Sequence, residues 1–489
     1  MENQPNVSRR GFLETTGVAA GAALAAGSFA HPAIGAVKGA NDRLNFAIIG
    51  PGGRAGAHIK VLMDMKDEGK PVDIIAVADV YKKNREQAAK KTGAKQAEVD
   101  YRKVLENKDV DAVVVATPDH WHAKQCIDAM LAGKDVYCEK PMTHTIDEAR
   151  QVAETVKKTK QVMTVGVQST ADPRWKAANE LIIAGKIGHV MQAQTQYYRN
   201  GSVGQWRYYG LDRDQNPTNV DWKMFLGTEF GLAPDMPFNR AKFAQWRCYW
   251  DFGGGMYTDL FVHQLTHLIQ AVGVRFPRRV VGGGGLYMEY DGRDVPDVAT
   301  VVADYDEGCQ VIVTASMCSA QYPLDEVIHG HTASIKFGGD GFEVKQEKLS
   351  NKPAVPTQGS TDKETVQVNV DVPRDDTRAL WNHFIECIRS RNPETMCTAD
   401  TGYAAIATVN MGVQSYREGK ALYFDKETGK VHEADSQWAL AWEKRSKERG
   451  KPNQVIGWTA GTTGSLLEPP DYQKLEGDWI GGKDPAPNA

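Results

Sequence analysis

Leu44-Asn45-Phe46-Ala47-Ile48-Ile49-Gly50-Pro51-Gly52-Gly53-Arg54-Ala55-Gly56 decides the fold. A short apolar run, strand-like in character, ends in a glycine turn, and a helical stretch follows to about Met65. Gly50, Gly52 and Ala55 match the spacing G-x-G-x-x-[GA]. The first glycine permits a tight turn, the second lets backbone approach a pyrophosphate, and the small third residue allows close helix–strand contact. Free N–H groups at the helix start attract the anion. A glycine-rich surface turn has the same look in isolation, so the flanking elements carry the weight. Val72-Asp73-Ile74-Ile75-Ala76-Val77-Ala78 reads as a second buried strand that stops at Asp79, an acid able to accept from both ribose hydroxyls. That favours NAD, while Lys82, Lys83 and Arg85 just beyond leave NADP open.

Working outward, Val110-Asp111-Ala112-Val113-Val114-Val115-Ala116 is a near-continuous apolar strand, as a parallel sheet buried on both faces requires. It ends in Thr117-Pro118-Asp119-His120-Trp121-His122, and the next strand, Asp135-Val136-Tyr137-Cys138, ends in Glu139-Lys140-Pro141. Ligands of open α/β sheets lie at the carboxyl ends of the strands. Candidate cofactor contacts are therefore Gly50, Gly52, Gly53, Arg54, Ala55, Asp79, Thr117, Pro118, His122, Glu139, Lys140 and Gln168, converging on one crevice.

From Glu139-Lys140-Pro141 onward the chain resembles the Gfo/Idh/MocA oxidoreductase family, which contains glucose–fructose oxidoreductase and the inositol dehydrogenases. Gly254-Gly255-Met256-Tyr257-Thr258-Asp259-Leu260-Phe261-Val262-His263 is similar to that family's Asp-x-x-x-His element, and the resemblance runs from about residue 43 to 425. It implies that Lys140 reaches a substrate hydroxyl. It also implies a second domain whose open sheet packs beside the first, with an outer face that often makes subunit contacts, hence a homo-oligomer.

The residues support a compatible chemistry. Lys140 follows apolar Val136 and Cys138 and precedes Pro141, so its site is rigid and partly dry; an ammonium there can hold a hydroxyl oxygen and favour its alkoxide. Asp259, His263 and His267 are spaced to share one helix face, with Asp259 set to orient His263 and raise its basicity. Asp/His/His is also a chemical ligand set, although hydride transfer to nicotinamide needs no metal once a lysine and a histidine are present. Lys140, Asp259 and His263 are the expected catalytic set. Lys140, Arg247, His263 and His267 are the expected substrate contacts, with Gln168 a further one. Trp222, Phe225, Phe230, Phe238, Phe243, Trp246, Tyr249 and Trp250 suit sugar faces or form a core loop.

Architecture follows from the same pattern. A Rossmann domain over 43–165 precedes an α+β domain over 166–425, and its strands at 190–198, 279–289, 298–304, 311–317 and 334–337 imply a large open, mostly antiparallel sheet. Helices are expected over 375–391 and 400–418, and 426–489 is a polar extension. Residues 1–36 read as a twin-arginine signal, with Ser8-Arg9-Arg10-Gly11-Phe12-Leu13 ahead of a weakly apolar run, which implies the twin-arginine machinery as a partner and a periplasmic or exported location.

Composition excludes much else. With 58 basic and 62 acidic residues the net charge is −4, so nucleic acid has no electrostatic foothold. Seven scattered cysteines form neither a disulfide framework nor a zinc spacing, and no later stretch suits membrane insertion. The leading expectation is an NAD(P)-dependent oxidoreductase of a carbohydrate hydroxyl, carrying a tightly bound cofactor. A glycosidase or lyase using transient oxidation on the same fold is the second reading, and a non-enzymatic sugar binder is the third.

Overall fold

The computed structural model describes residues 43–348 and 365–447, so the twin-arginine segment lies outside the described residues. Strands β1 (Leu44–Ile49), β2 (Val72–Ala78), β3 (Gln96–Glu98), β4 (Ala112–Val115), β5 (Asp135–Glu139) and β6 (Met163–Gly166) form a six-stranded sheet in the order β3-β2-β1-β4-β5-β6. Every pairing in it is parallel. The strand order reverses between β1 and β4, the place where a doubly wound sheet opens its crevice. Gly50 sits at that place with φ +79°, and a Cβ there would lie 2.7 Å from the Thr117 side chain. The turn after β1 and the turn after β4 can meet only because residue 50 has no side chain.

Met163–Gly166, at the boundary read between the two domains, supplies β6, the outermost strand of the parallel sheet. The helix Asp376–Ser390 also returns to this sheet from far along the chain. Its Trp381 stacks on Tyr137 at 4.5 Å and meets Phe46 edge-on at 5.4 Å, in a cluster with Ile48, Val114 and Phe384. A helix assigned by sequence position to the second domain thus completes the core of the first. The reason is its apolar face, which has an uncovered side of the sheet to bury.

The second sheet has ten strands: β7 (Val190–Tyr198), β8 (Arg279–Gly285), β9 (Val298–Tyr305), β10 (Cys309–Ser316), β11 (Val327–Gly330), β12 (Ala333–Gly338), β13 (Gly341–Gln346), β14 (Thr365–Asn369), β15 (Leu422–Asp425) and β16 (Lys430–Glu433). Their order is β14-β13-β12-β11-β7-β10-β9-β8-β15-β16, and only β7 and β10 run parallel. β8 stops at Gly285, short of 289, because the Asp297 carboxylate captures the backbone N–H groups of Tyr287, Met288 and Glu289. The β15–β16 hairpin carries the sheet past residue 425 into the segment expected to be an extension.

The helix Ala399–Glu418 lies against both β8 and the first-domain helix Ile146–Thr159. Gly282 in β8 faces Gly412 of that helix so closely that a Cβ on Gly282 would lie 2.1 Å from the Gly412 carbonyl oxygen. The glycine run of β8 is therefore a backbone-to-backbone seat. All seven cysteines are free, and only Cys318 is not buried. Among the described residues no helix is long and apolar enough to cross a membrane.

Truncating Trp381 to Ala should cost about 3–5 kcal/mol of stability, the usual range for a buried indole. Denaturant unfolding of the full chain measures it. A loss below about 1 kcal/mol would show that the returning helix is not part of the first core.

Candidate active site

The carboxyl ends of β1, β2 and β4 open on a cavity of about 300 Å³. Gly50, Gly52, Gly53 and Arg54 line one wall, Asp79, Tyr81 and Asn84 another, and Thr117, Pro118 and Trp121 a third. Nothing comes closer than 3.6 Å to the place a Cβ would take on Gly52, so the turn offers bare backbone beside open space. Asp79 accepts from the Tyr81 backbone N–H at 2.7 Å and from Asn84 at 3.3 Å, and burial raises its carboxyl to about 6. These features fit a dinucleotide, with its pyrophosphate on the turn and a ribose on Asp79. Of the cations that left NADP open, Lys83 pairs with Asp212, and Arg85 donates to the Asp79 backbone carbonyl.

A second-domain segment is fastened beside this cavity. Tyr209, Gly210 and Gln215 line it, Lys82 N–H donates to the Asn219 carbonyl at 2.9 Å, and Asp221 N–H donates to the Val80 carbonyl at 3.0 Å. The aromatic stretch considered for sugar binding also turns this way. Phe225, Phe243 and Trp246 wall the cavity, and Phe243 meets Tyr81 edge-on.

Behind the glycine turn lies a buried polar chain. Glu139 accepts from Arg54 Nε at 2.8 Å and from His58 Nε2 at 2.7 Å. His58 Nδ1 in turn accepts from the Trp381 indole at 3.0 Å. Because an indole can only donate, the His58 proton sits on Nε2 and points at Glu139. Burial alone would raise the Glu139 carboxyl, but Arg54, His58 and Lys140 hold it far below the usual carboxylate range. Turned so that both ends are satisfied, the Gln168 amide receives the Arg54 guanidinium and donates to the Gly166 carbonyl. Arg54, Glu139 and Gln168 thus form one cluster beneath the turn. His58 and Trp381 carried no sequence signal, since they are 323 positions apart and meet only when the late helix docks.

The catalytic candidates meet where the two sheets adjoin. Lys140 Nζ donates to the Asp259 carboxylate at 2.7 Å and to its backbone carbonyl at 2.8 Å. The same carboxylate accepts from Arg247 Nε at 2.9 Å and from the Trp206 indole at 2.8 Å. Burial raises the Asp259 carboxyl, yet Lys140 and Arg247 outweigh it and hold the group well below the usual carboxylate range. Trp206 is wholly buried, with φ +63°, a left-handed conformation unusual for a bulky residue. Sequence reading passed it over because nothing near it in the chain marks it.

Two expectations about the second-domain helix need correction. Residues Tyr257–Phe261 form a π-helical turn before the α-helix Val262–Val272, so the spacing of a single α-helix does not carry through. Asp259 spends both oxygens on Lys140, Arg247 and Trp206 and makes no hydrogen bond to His263. Nor is the basicity of His263 raised: burial first, then the Lys140 charge, lowers it to about 3. The imidazole is neutral and half-buried, with its ring 6.2 Å from Tyr197. His267 is turned away into packing, stacked on Trp175 at 3.9 Å and bonded to Glu326 at 2.9 Å.

His122 does not line the cavity. Its Nδ1 faces the Pro141 carbonyl at 2.6 Å and its Nε2 the Thr117 carbonyl at 2.8 Å. Two acceptors require two N–H donors, so the ring is an imidazolium bracing the two strand-end turns. Burial opposes that charge, but Cys138, Asp119 and the Pro141 carbonyl raise the group to about 9. Asp119, also buried, accepts from Thr258 at 3.0 Å. Among the described residues no group of three or more His, Cys, Asp or Glu is arranged to hold a metal.

Two sequence families match this chain: an oxidoreductase family's NAD-binding Rossmann fold over residues 44–167, and an oxidoreductase family's C-terminal alpha/beta domain over 179–424. A scyllo-inositol 2-dehydrogenase (NAD(+)) of Bacillus subtilis is 26% identical over 392 residues, covering 78% of this chain and 96% of its own. A glycosyl hydrolase family 109 protein of Shewanella baltica is 25% identical over 235 residues, 42% of this chain and half of the relative. Among solved structures, a levoglucosan dehydrogenase in complex with NADH and L-sorbose is alike in fold, with TM-score 0.58 and 20% identity, covering 78% of this chain and 99% of that one.

Ribose hydroxyls would donate to an ionised Asp79, so dinucleotide affinity should weaken as pH falls through about 6 and that carboxylate takes up a proton. Titration of NAD into dinucleotide-free protein between pH 5 and 8 should show this dependence, and Asp79→Asn should bind weakly with a flat profile. A pH-independent affinity in the parent protein would remove Asp79 from the ribose.

Proposed function

The chain belongs to the Gfo/Idh/MocA oxidoreductase family, and we propose that it oxidises a hydroxyl of a sugar, polyol or glycoside and is exported with its NAD already bound. The observation that carries this reading is the Lys140 ammonium, fixed on Asp259 at the end of β5, next to the Glu139 that holds Arg54 of the glycine turn, with neutral His263 within its electrostatic reach. NAD, when bound, supplies the hydride acceptor. Lys140 holds the hydroxyl oxygen through an Nζ–H and stabilises the alkoxide as it forms. The hydroxyl proton passes to a ring nitrogen of His263. Asp259 keeps Lys140 aimed, and the Trp206 indole keeps Asp259 aimed. Reduction of a ketone runs the same steps backwards.

Retention of the dinucleotide is supported by the backbone bonds that fasten residues 219–221 beside the cavity. Export rests on Ser8-Arg9-Arg10-Gly11-Phe12-Leu13, and the twin-arginine route carries proteins already folded and loaded. The carbohydrate class draws support from the inositol and levoglucosan dehydrogenases among the relatives. A second reading, in which transient oxidation permits elimination of a glycoside, is favoured only by the family 109 match. Product analysis on a chromogenic glycoside against a free sugar separates the two.

Denaturing freshly purified protein should release close to one nicotinamide dinucleotide per chain. Recovery of none, with weak affinity for added NAD or NADP, would sink the bound-cofactor reading. Lys140→Ala should keep the dinucleotide but lose at least about a hundredfold in the rate of its reduction by substrate. Reduction at the parental rate would strip Lys140 of its role. The pH profile bears on His263. A base with a pKa of about 3 is unprotonated throughout the working range, so at saturating NAD it should contribute no acid limb between pH 8 and 5. An inflection near 6.5 that vanishes in His263→Gln would contradict that environment.

A further inference from the structure

Around the catalytic cluster every lysine and arginine side chain but one reaches a carboxylate. Arg54 lies on Glu139, Lys140 and Arg247 share Asp259, Arg207 lies on Asp291, and Arg293 lies on Asp291 and Glu289. Arg199 is the exception: among the described residues no carboxylate lies within ion-pair distance of it. Its one side-chain partner is the Tyr197 phenol oxygen, to which Nη2 donates, and its guanidinium covers the Tyr197 ring at 4.7 Å.

The position of this unpaired charge is set by strand geometry. Alternate residues of a strand share a face, so Thr195, Tyr197 and Arg199 form one row along β7 and its continuation. Thr195 in that row donates to Glu326 at 2.6 Å and touches Gln264, which puts the row under the helix that bears His263. The Tyr197 ring is 6.2 Å from the His263 ring, and Arg199 rests on the Tyr197 ring. The guanidinium therefore stands no farther from the reacting imidazole than those two spacings together, about the reach of a sugar ring with one substituent. Half-exposed Tyr208 stands within electrostatic reach of Arg199, Arg247 and Asp259, and so belongs to the same opening.

A phenol oxygen occupies one donor of the guanidinium and cancels none of its charge. The rest of the planar fork has the geometry that receives a carboxylate through two parallel hydrogen bonds. Lys140 and Arg247 also exceed the single Asp259 by one positive charge, which adds to the pull on an anion.

We infer that Arg199 selects a substrate bearing a carboxylate, a sugar acid in which the acid group docks on Arg199 while a ring hydroxyl meets Lys140 and His263. This rests on the reading of a carbohydrate hydroxyl oxidised at Lys140. The acid is not consumed; it anchors the ring and sets which hydroxyl faces the lysine.

The test uses the full, dinucleotide-loaded chain, with glucuronate against glucose, galacturonate against galactose, and glucose 6-phosphate as a second kind of anion. Binding is followed by calorimetry and dinucleotide reduction by absorbance, as separate readouts. At least one acid should exceed its neutral counterpart by about tenfold or more in affinity or kcat/KM. Arg199→Gln should bring that ratio close to one, and Arg199→Lys should restore part of it. Arg199-dependent binding of an acid without dinucleotide reduction upholds this inference and overturns the hydride-transfer reading instead. The inference fails if neutral sugars bind as well as acids, if no acid binds, or if the phosphate ester is preferred. It also fails if folded Arg199→Gln protein loses acid and neutral sugar by the same factor.

Discussion

One buried ion pair ties the two domains to a common purpose. Lys140 arrives on the turn that follows β5 of the parallel sheet, Asp259 on a π-helical turn of the second domain, and neither side chain is more than 10% exposed. Taking both charges out of water is expensive, and the mutual attraction repays the cost only when further hydrogen bonds complete both groups. Here they do, because Arg247 and Trp206 fill the remaining positions on the carboxylate. Removing Asp259 leaves two buried cations without a counter-charge, whereas removing Lys140 leaves Asp259 still paired with Arg247. The pair is therefore best understood as fixing the position of an ammonium relative to the glycine turn, with net stability a lesser matter.

The polar chain behind it is organised on the same principle. Each member of the series Trp381, His58, Glu139, Arg54 has its donor or acceptor sense set by its neighbour. An indole that can only donate fixes a histidine tautomer, and that tautomer presents a proton to a carboxylate. The carboxylate then neutralises an arginine that would otherwise stand as a loose charge beside the cofactor turn. Its far end is a hydrophobic core residue, so the packing of the late helix and the electrostatics of the turn are one arrangement.

Legibility in the sequence followed locality. The glycine turn, Asp79 and Lys140 were readable because each owes its position to a strand that ends next to it, and periodicity marks strand ends. Arg247 was picked out and does stand at the cluster, but its aromatic neighbours wall the dinucleotide cavity, a choice that composition cannot make. Asp259 and His263 were found, whereas the bond between them was not, since a single π turn defeats an argument built on α-helical spacing. His267 lies in the α-helix beyond that turn and is taken up instead by Trp175 and Glu326. Trp206 and His58 were invisible because their partners come from distant segments. Strands β11 and β13–β16 are only four to six residues long, so they form through the neighbours they pair with.

The segment fastened beside the dinucleotide cavity has a kinetic consequence. Its anchors include main-chain bonds joining residues 219 and 221 to the connection after β2, beside the Lys83–Asp212 ion pair. Opening it is a small unfolding event, which belongs to the slow, cooperative class of fluctuation. Release of a nucleotide held beneath it would then follow the activation behaviour of backbone rupture, with a steep dependence on temperature.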